Sequence, residues 1–326
     1  MFDWLKKNFL MLGILAGGTL AIATPHPGAW LAGLRLPGDL ALNPILIFTI
    51  FVCSGLQLTL GAFRQELRNI PAIAAALVII NLLFPVAAVA LAKLFNITGQ
   101  AFIGLLVVAS APPTLASGII ITGLAGGSIP LAILLTLAGN ISAVLIMPIG
   151  LKTILAMTTD LRLDVLAMLV KLLYMIILPI LIGQTIRRLI PDVVKRRQSS
   201  IAFVPSVAIV LIVFMIVSQG SATIRQQSGA LAMVAFVCVI LHLAILLASR
   251  LTGAALRLTT HAAKAIVFVA SQKTLPVSIL VLTQAFPDHP AAIVPAITFH
   301  ILQILVDSLL ASWWRQRGNT ARPDNT

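Results

Sequence analysis

Two short segments place polar side chains inside otherwise apolar stretches of this chain. Residues 111–118 read Ala-Pro-Pro-Thr-Leu-Ala-Ser-Gly, and residues 271–278 read Ser-Gln-Lys-Thr-Leu-Pro-Val-Ser. Proline lacks a backbone N–H and disfavours helical conformation in the residue before it, so each segment should interrupt a helix. Unwound carbonyls and helix ends can hold ions or charged groups. The pattern therefore indicates binding chemistry at these two segments.

The composition predicts that these segments lie in a membrane protein. Of the 326 residues, 60% are hydrophobic and only 10% are charged, whereas about a quarter of the residues of a soluble domain are charged. The net charge of +13 does not indicate nucleic-acid binding, because the basic residues are scattered between apolar stretches. Cys53 and Cys238 each lie in a long apolar run, which predicts neither a disulfide framework nor a metal site.

Apolar runs of roughly 18–25 residues predict membrane spans. Ten such runs lie near residues 8–24, 43–61, 71–92, 101–122, 129–151, 164–186, 199–218, 228–248, 262–286 and 291–314. The first run is also typical of a signal peptide, although we expect an uncleaved span. With a cytoplasmic N-terminus, fifteen of the 22 lysines and arginines fall in cytoplasmic segments and five fall outside. We therefore expect a multi-pass protein of a bacterial-type inner membrane, with both termini cytoplasmic.

The two interrupted segments also indicate an internal repeat. At an offset of 160 residues, Thr114 pairs with Thr274, and Asn140 of the fifth run pairs with His300 of the tenth. Five spans in each half reverse the orientation of the second copy, which predicts an inverted repeat. Matching interruptions in two such halves indicate a transporter's binding site near the middle of the membrane.

Four motifs give the chain a resemblance to a known family. They are Ser54-Gly55-Leu56 with Arg64, Ala111-Pro112-Pro113-Thr114 with Ser117-Gly118, Leu124-Ala125-Gly126-Gly127, and Ser271-Gln272-Lys273-Thr274-Leu275. On these residues the chain resembles the bile acid:sodium symporter superfamily, in particular its branch of solute carrier family 10 member 7-like symporters. The resemblance implies an all-α polytopic membrane fold of ten helices in two inverted five-helix repeats. Helices 4 and 9 would cross at their broken middles.

The resemblance also implies how a single transmembrane unit of residues 1–326 is divided. The expected parts are a first repeat at 1–152, a second repeat at 160–317, a core domain of 71–151 plus 228–314, a panel domain of 8–61 plus 164–218, and a flexible tail at 318–326.

In sodium-coupled members of the superfamily, side chains of spans four and five bind Na⁺ together with a glutamate and a glutamine on span nine. The matching residues here are Ser117, Ser128, Thr136, Asn140 and Gln272. The glutamate is missing, because residues 267–271 read Val-Phe-Val-Ala-Ser. We therefore expect no resident cofactor, and the coupling ion is left open between Na⁺ and H⁺.

Lys273 places an ionisable amine inside a predicted apolar span. A lysine in mid-membrane costs about 2.5–3.5 kcal/mol on insertion scales, so its amine should face the protein interior. We expect the ammonium to lie where a bound cation would, held by Thr114, Ser117, Asn140 and unwound carbonyls. It could release a proton during transport, act as a counter-charge for an anionic solute, or only pin two crossing helices.

Three further polar residues lie inside predicted spans. Asp307 could pair with a basic residue near the cytoplasmic face or take up a proton. His300, seven residues earlier on the same helix face, could relay a proton or simply pack, and His242 is open to the same two interpretations. Thr274 completes the set of candidate binding residues.

The sequence as a whole predicts a secondary transporter that moves an organic anion, or a similar small amphipathic solute, by alternating access. The alternative is a regulatory membrane protein that keeps the same fold without moving solute. An enzyme is disfavoured, because the chain has no His-Glu-x-x-His motif and no Gly-x-Ser-x-Gly elbow. The expected partners are a small solute and the lipid bilayer, without nucleic acid.

Overall fold

The computed structural model describes residues 2–37, 40–57, 66–158, 163–226 and 228–320. The α-helices are α1 (Phe2–Ala23), α2 (Pro25–Gly33), α3 (Leu42–Gln57), α4 (Ile70–Val78), α5 (Phe84–Leu94), α6 (Gly99–Ser110), α7 (Ser117–Leu124), α8 (Ile129–Thr158), α9 (Val165–Leu172), α10 (Leu178–Leu189), α11 (Pro191–Arg196), α12 (Gln198–Gln226), α13 (Ser228–Ala255), α14 (Thr260–Ser271), α15 (Leu275–Ala285) and α16 (Ile293–Thr320).

Short elements join some of these helices. The π-helical turns Ile79–Leu83 and Leu173–Ile177 connect α4 to α5 and α9 to α10. The 3-10 turns are Glu66–Arg68 and Pro290–Ala292, and strands β1 (Arg35–Leu36) and β2 (Leu40–Ala41) form an antiparallel pair.

Several helices begin where local chemistry satisfies or removes a free backbone donor. The side chain of Asp164 accepts from the N–H of Ala167 at 3.0 Å, and Thr259 does the same for Ala262 at 3.3 Å. Prolines lie in the first turns of α2, α4, α5, α10 and α11, where a missing N–H costs no helical bond.

Seven helical stretches of the described chain are long and apolar enough to cross a membrane. They are Ile70–Leu94, Ile129–Thr158, Val165–Leu189, Gln198–Ala222, Ala232–Ala255, Thr260–Ala285 and Pro290–Gln316. Three shorter apolar helices are Leu12–Ala23, Leu42–Gln57 and Gly99–Ser110. Each stretch lies on a run predicted from sequence, which confirms a helical polytopic membrane protein; the number of crossings stays a prediction.

The chain divides into two compact units. The first comprises Met1–Thr59, Leu163–Ala232 and Pro276–Val294, and the second comprises Leu60–Arg162, Met233–Leu275 and Pro295–Thr326.

In the first unit, α1, α2 and α3 pack against α12, and α3 also packs against α10. The crossing of α3 and α10 depends on Gly55 and Gly183. A Cβ on Gly55 would overlap the carbonyl of Ile180, and one on Gly183 would overlap the carbonyl of Val52. Two helices meet backbone to backbone here, as small residues allow in membrane proteins.

In the second unit, α14 packs against α4, α7 and α8. Its residues from Ala265 to Ser271 are all buried, which agrees with a helix that is apolar on every side. The rings of Phe84 and Phe299 meet edge to face with centroids 5.6 Å apart. Helix α14 ends at Ser271, where the second polar segment begins.

The structure adds detail at the ends of predicted elements. Helix α8 continues to Thr158, beyond the predicted end at 151, and α2 was not predicted. Helix α16 continues to Thr320, so the first residues of the predicted tail 318–326 are helical. Residues 321–326 and Arg64 of the second-span motif lie outside the described residues.

Candidate functional site

Both polar segments interrupt a helix, as predicted, and the two interruptions are in contact. Helix α6 ends at Ser110 and α7 begins at Ser117, while α14 ends at Ser271 and α15 begins at Leu275. Between them, the backbone N–H of Thr274 donates to the carbonyl of Pro112 at 3.0 Å. This bond joins the two unwound stretches directly.

Lys273 lies at this junction with its side chain fully buried. Its Nζ donates to the carbonyl oxygens of Ile80 and Ala111, each at 2.8 Å. The ring centroid of Phe84 lies 4.4 Å from Nζ, within the range of a cation–π contact. Two carbonyl oxygens and an aromatic face thus surround the amine.

The carbonyl of Ile80 is available because of the π-helical turn beside it. In an α-helix it would accept from the N–H of Phe84, but that N–H bonds to the carbonyl of Ile79 instead. The next residue, Pro85, has no N–H to offer. The helix therefore leaves the Ile80 carbonyl open, and Lys273 fills the position.

The backbone of Lys273 is held from α16 by Gln303. The N–H of Lys273 donates to Gln303 Oε1 at 2.7 Å, and Gln303 Nε2 donates to the carbonyl of Lys273 at 2.8 Å. Gln303 Nε2 also lies 3.0 Å from His300 Nδ1. The sequence analysis did not identify Gln303, although its position one turn after His300 on the same helix face was a usable signal.

The side chain of Gln272 links the junction to a buried acidic residue. Its Oε1 accepts from Thr114 Oγ1 at 2.6 Å and from Ser117 Oγ at 2.7 Å. Its Nε2 donates to Asp307 Oδ2 at 2.7 Å. The other oxygen of Asp307, Oδ1, lies 2.8 Å from His242 Nε2. Asp307 thus pairs with a histidine, and a position of this pair near the cytoplasmic face stays a prediction.

Of the predicted partners of the Lys273 amine, the unwound carbonyls are confirmed by Ala111, whereas the predicted side chains bond elsewhere. Thr114 and Ser117 donate to the glutamine described above, and Asn140 Nδ2 donates to the carbonyl of Pro113 at 3.1 Å. The amine is held by carbonyls and a ring instead. Side-chain hydroxyls were assigned to it because the π-helical turn could not be predicted from the sequence.

Of the remaining candidates, one lies on α8 and one lies just before it. Thr136 is buried one turn before Asn140, whose Nδ2 also donates to the carbonyl of Thr136 at 2.8 Å. Ser128 lies just before α8, where its Oγ donates to Glu66 Oε1 at 2.9 Å and accepts from the N–H of Leu131 at 3.2 Å. These bonds make Ser128 a cap of the helix start, and none of them reaches the junction.

The profile of the SBF-like CPA transporter family matches residues 8–316. The chain belongs to this family.

Named relatives align over almost the whole chain. "Probable sodium/metabolite cotransporter BASS4, chloroplastic" of Oryza sativa subsp. indica is 29% identical over 96% of this chain and 76% of that protein. Its namesake in Arabidopsis thaliana is 26% identical over 98% and 75%. "Sodium/bile acid cotransporter 7" of Mus musculus is 25% identical over 96% of both chains. The resemblance to the bile acid:sodium symporter superfamily is thereby confirmed.

Membership of a transporter family and the seven long apolar helices make the chain an integral multi-pass membrane protein. Its relatives are named as cotransporters, so a small solute is the partner that the family indicates.

Two of the oxygens at the junction that could bind a sodium ion are already occupied. The carbonyls of Ile80 and Ala111, which could serve as ligands, are bound by the Lys273 amine. Among the described residues, four buried neutral oxygens at or near the two helix interruptions have no hydrogen-bond partner, namely Ser110 Oγ, Thr136 Oγ1, Asn140 Oδ1 and Ser271 Oγ. A sodium ion bound to them would share the site with the Lys273 amine.

Proposed function

We propose that this chain is a secondary transporter for an organic anion, in which the Lys273 ammonium replaces a bound coupling cation. The observation that carries the proposal is the placement of Nζ between two free carbonyls and the Phe84 ring at the contact of two broken helices. A tethered cation satisfies these groups without Na⁺. The expected coupling therefore does not require Na⁺, even though the relatives are named for sodium.

The proposed architecture is ten spans in two inverted repeats. The 160-residue offset that pairs Thr114 with Thr274 also pairs Pro113 with Lys273. The carbonyls of Pro113 and Lys273 each accept from a side-chain amide of a later helix, Asn140 on α8 and Gln303 on α16. The two equivalent carbonyls thus accept similar hydrogen bonds, which supports an origin of the two halves by duplication. The core and panel domains predicted from sequence are part of the same proposal.

An anionic solute follows from the charge of the site. A buried ammonium adds a positive charge to the second unit, and carbonyl dipoles stabilise it without neutralising it. Binding an anion nearby lowers the cost of that charge. The relatives named for bile acid favour an amphipathic anion.

We further propose an inner-membrane location with both termini in the cytoplasm. Arg187, Arg188, Lys195, Arg196 and Arg197 lie in or beside α10 and α11, in the middle of the chain. This basic stretch is expected on the cytoplasmic side.

A binding screen tests the proposed function. Purified protein is heated with taurocholate as a bile-acid probe and with citrate as a compact anion, each in Na⁺ and in choline buffer. We expect one anion class to raise the melting temperature equally in both buffers, and the same anion to enter proteoliposomes. Stabilisation without uptake would favour the non-transporting alternative, and stabilisation only in Na⁺ would contradict the proposed role of Lys273.

The variants Lys273→Ala and Lys171→Ala form a matched pair for the uptake assay. Lys171 is an exposed lysine in another apolar helix. We expect Lys273→Ala to abolish uptake and Lys171→Ala to retain it, with both proteins eluting as folded species on size exclusion.

A further inference from the structure

We propose that His242 and Asp307 form a proton-binding site that sets the hydrogen bonding of the helix junction through Gln272. This inference rests on the proposed transporter function for its use, because it supplies the coupling ion that the tethered Lys273 cation does not. The sequence analysis placed possible proton coupling at Lys273 and Asp307. The geometry assigns it to Asp307 together with His242.

The pair is buried and closely bonded. Both side chains are fully buried, and His242 Nε2 lies 2.8 Å from Asp307 Oδ1. The ring of His242 is held edge to face by Phe299, with centroids 5.6 Å apart. A buried carboxylate needs donors on both oxygens, and Asp307 has them from His242 and Gln272. Nε2 of His242 therefore carries a hydrogen.

The second nitrogen of His242 provides a position for a proton. Nδ1 is buried and has no hydrogen-bond partner among the described residues. With Nε2 protonated, the neutral ring leaves a lone pair on Nδ1. Adding a proton forms an N–H bond there and turns the ring into an imidazolium. The adjacent Asp307 carboxylate balances that charge, and the shared proton can then lie on either partner.

Gln272 connects the state of this pair to the unwound segments. Its Nε2 donates to Asp307 Oδ2, while its Oε1 accepts from Thr114 and Ser117. If the shared proton passes to Asp307 Oδ1 and the carboxyl group turns to bring that O–H to Gln272, the carboxyl donates where it had accepted from an amide N–H. The Gln272 amide must then turn over so that its Oε1 accepts from Asp307. Its Nε2 then faces Thr114 and Ser117, whose hydroxyl oxygens accept instead of donating. Protonation thus reverses the hydrogen bonds between Gln272 and these two residues.

The charges around the pair determine what proton uptake accomplishes. Among the described side chains, the charged and titratable groups of the packed elements are Cys238 and Arg250 on α13, His261 and Lys264 on α14, Lys273 beside Gln272, and His300 and Arg315 on α16. The Asp307 carboxylate offsets the charge of the Lys273 ammonium. One added proton removes that offset and leaves the Lys273 charge for a bound anion to balance, which predicts symport of protons with the anion.

Potentiometric and infrared titration in the absence of solute test the site. Wild type, Asp307→Asn, His242→Gln and the control His261→Gln are reconstituted in lipid and titrated between about pH 8 and 5.5, where histidines take up protons. His261 is exposed and bonds to the carbonyl of Gly126. Size exclusion before and after titration establishes that each variant is folded.

We expect the wild type to take up about one proton more than Asp307→Asn or His242→Gln between these two pH values. The infrared difference spectrum should lose the same carboxyl and imidazolium bands in both variants, and His261→Gln should keep those bands. Superimposable spectra of the wild type and Asp307→Asn would overturn the inference. Because no anion is present, this result is independent of the binding screen: failure of one leaves the other standing.

Discussion

At the scale of single residues, the protein holds one buried lysine, Lys273, by contacts to both its amine and its backbone. Its amine donates hydrogen bonds to two backbone carbonyls, and its backbone N–H and carbonyl both bond to Gln303. The ring of Phe84 lies against the amine. The contacts come from the helical stretch Ile70–Leu94, from the unwound segment after α6 and from α16. The lysine thus holds together segments that could not satisfy their own backbone groups.

The variant Lys273→Met should lower stability. Methionine has a similar length but no donor, so the carbonyls of Ile80 and Ala111 lose their hydrogen bonds in a buried place. Each buried unsatisfied group costs about 1–3 kcal/mol, so two of them predict a loss of about 2–6 kcal/mol and a lower melting temperature. The control is Lys171→Met, whose exposed side chain should leave the melting temperature within about a degree. Equal melting temperatures of both variants would rule out a structural contribution of Lys273.

Sequence reasoning located most of the site but assigned the wrong contacts to it. Prolines predicted both interruptions, and a lone lysine in an apolar run predicted burial. An unwound carbonyl, that of Ala111, was among the predicted partners of the amine, but the carbonyl of Ile80 was not predictable because it becomes free only through a register shift in a neighbouring helix. His242 and Gln303 were missed or given no role because a single polar residue in an apolar helix does not reveal its partner.

At the scale of elements, π-helical turns and close helix crossings position the site. Both π-helical turns come just before a proline, Pro85 in one case and Pro179 in the other. A missing N–H allows the helix to widen by one residue, and a carbonyl becomes available for other use. Only the turn at Ile79–Leu83 is seen to bind a lysine among the described residues.

The variant Pro85→Ala tests this use of a π-helical turn. Alanine restores an N–H, so the helix can return to α-helical bonding and take back the Ile80 carbonyl. The amine of Lys273 would then keep one acceptor, and we expect a lower melting temperature and reduced uptake. Pro179→Ala is the matched control, since it restores an N–H beside the other π-helical turn, Leu173–Ile177, which is not seen to bind a lysine in the described part of the chain. If both variants behave alike, the turn at Ile79–Leu83 has no special role.

The glycine crossing of α3 and α10 gives a second prediction at this scale. Gly183→Ala adds a methyl group where the Val52 carbonyl already lies, so the helices must separate. Overpacking of this kind costs about 1–3 kcal/mol, which should lower the melting temperature. Gly18→Ala on α1 is the control, because its Cβ meets no atom within 4 Å. A Gly183→Ala protein as stable as Gly18→Ala would contradict the backbone contact.

At the scale of the whole molecule, composition and hydropathy predicted the class of fold because the membrane leaves few alternatives. Each span must satisfy its own backbone, so long apolar runs become helices. The same constraint explains why the burial of one helix could not be predicted from hydropathy. Helix α14 is apolar on all sides because protein surrounds it, and hydropathy cannot distinguish that environment from lipid.

The proposed topology predicts where both ends of the chain lie. Ten spans and the distribution of lysine and arginine place the N-terminus and the C-terminus in the cytoplasm. Fusions of a fluorescent reporter that is active only in the cytoplasm should therefore light up at either end, while alkaline phosphatase fusions at the same ends should stay inactive. An active phosphatase at one end would mean an odd number of crossings and would remove the inverted repeat.

The central claim is that an ammonium replaces the coupling cation, and the effect of Na⁺ on thermal stability tests it without any solute. Wild type and Lys273→Ala are melted in NaCl and in choline chloride of equal ionic strength. The wild type should melt at the same temperature in both salts. In Lys273→Ala the carbonyls of Ile80 and Ala111 are released, so Na⁺ should raise its melting temperature. A wild-type protein that Na⁺ stabilises as strongly as the variant would contradict the claim.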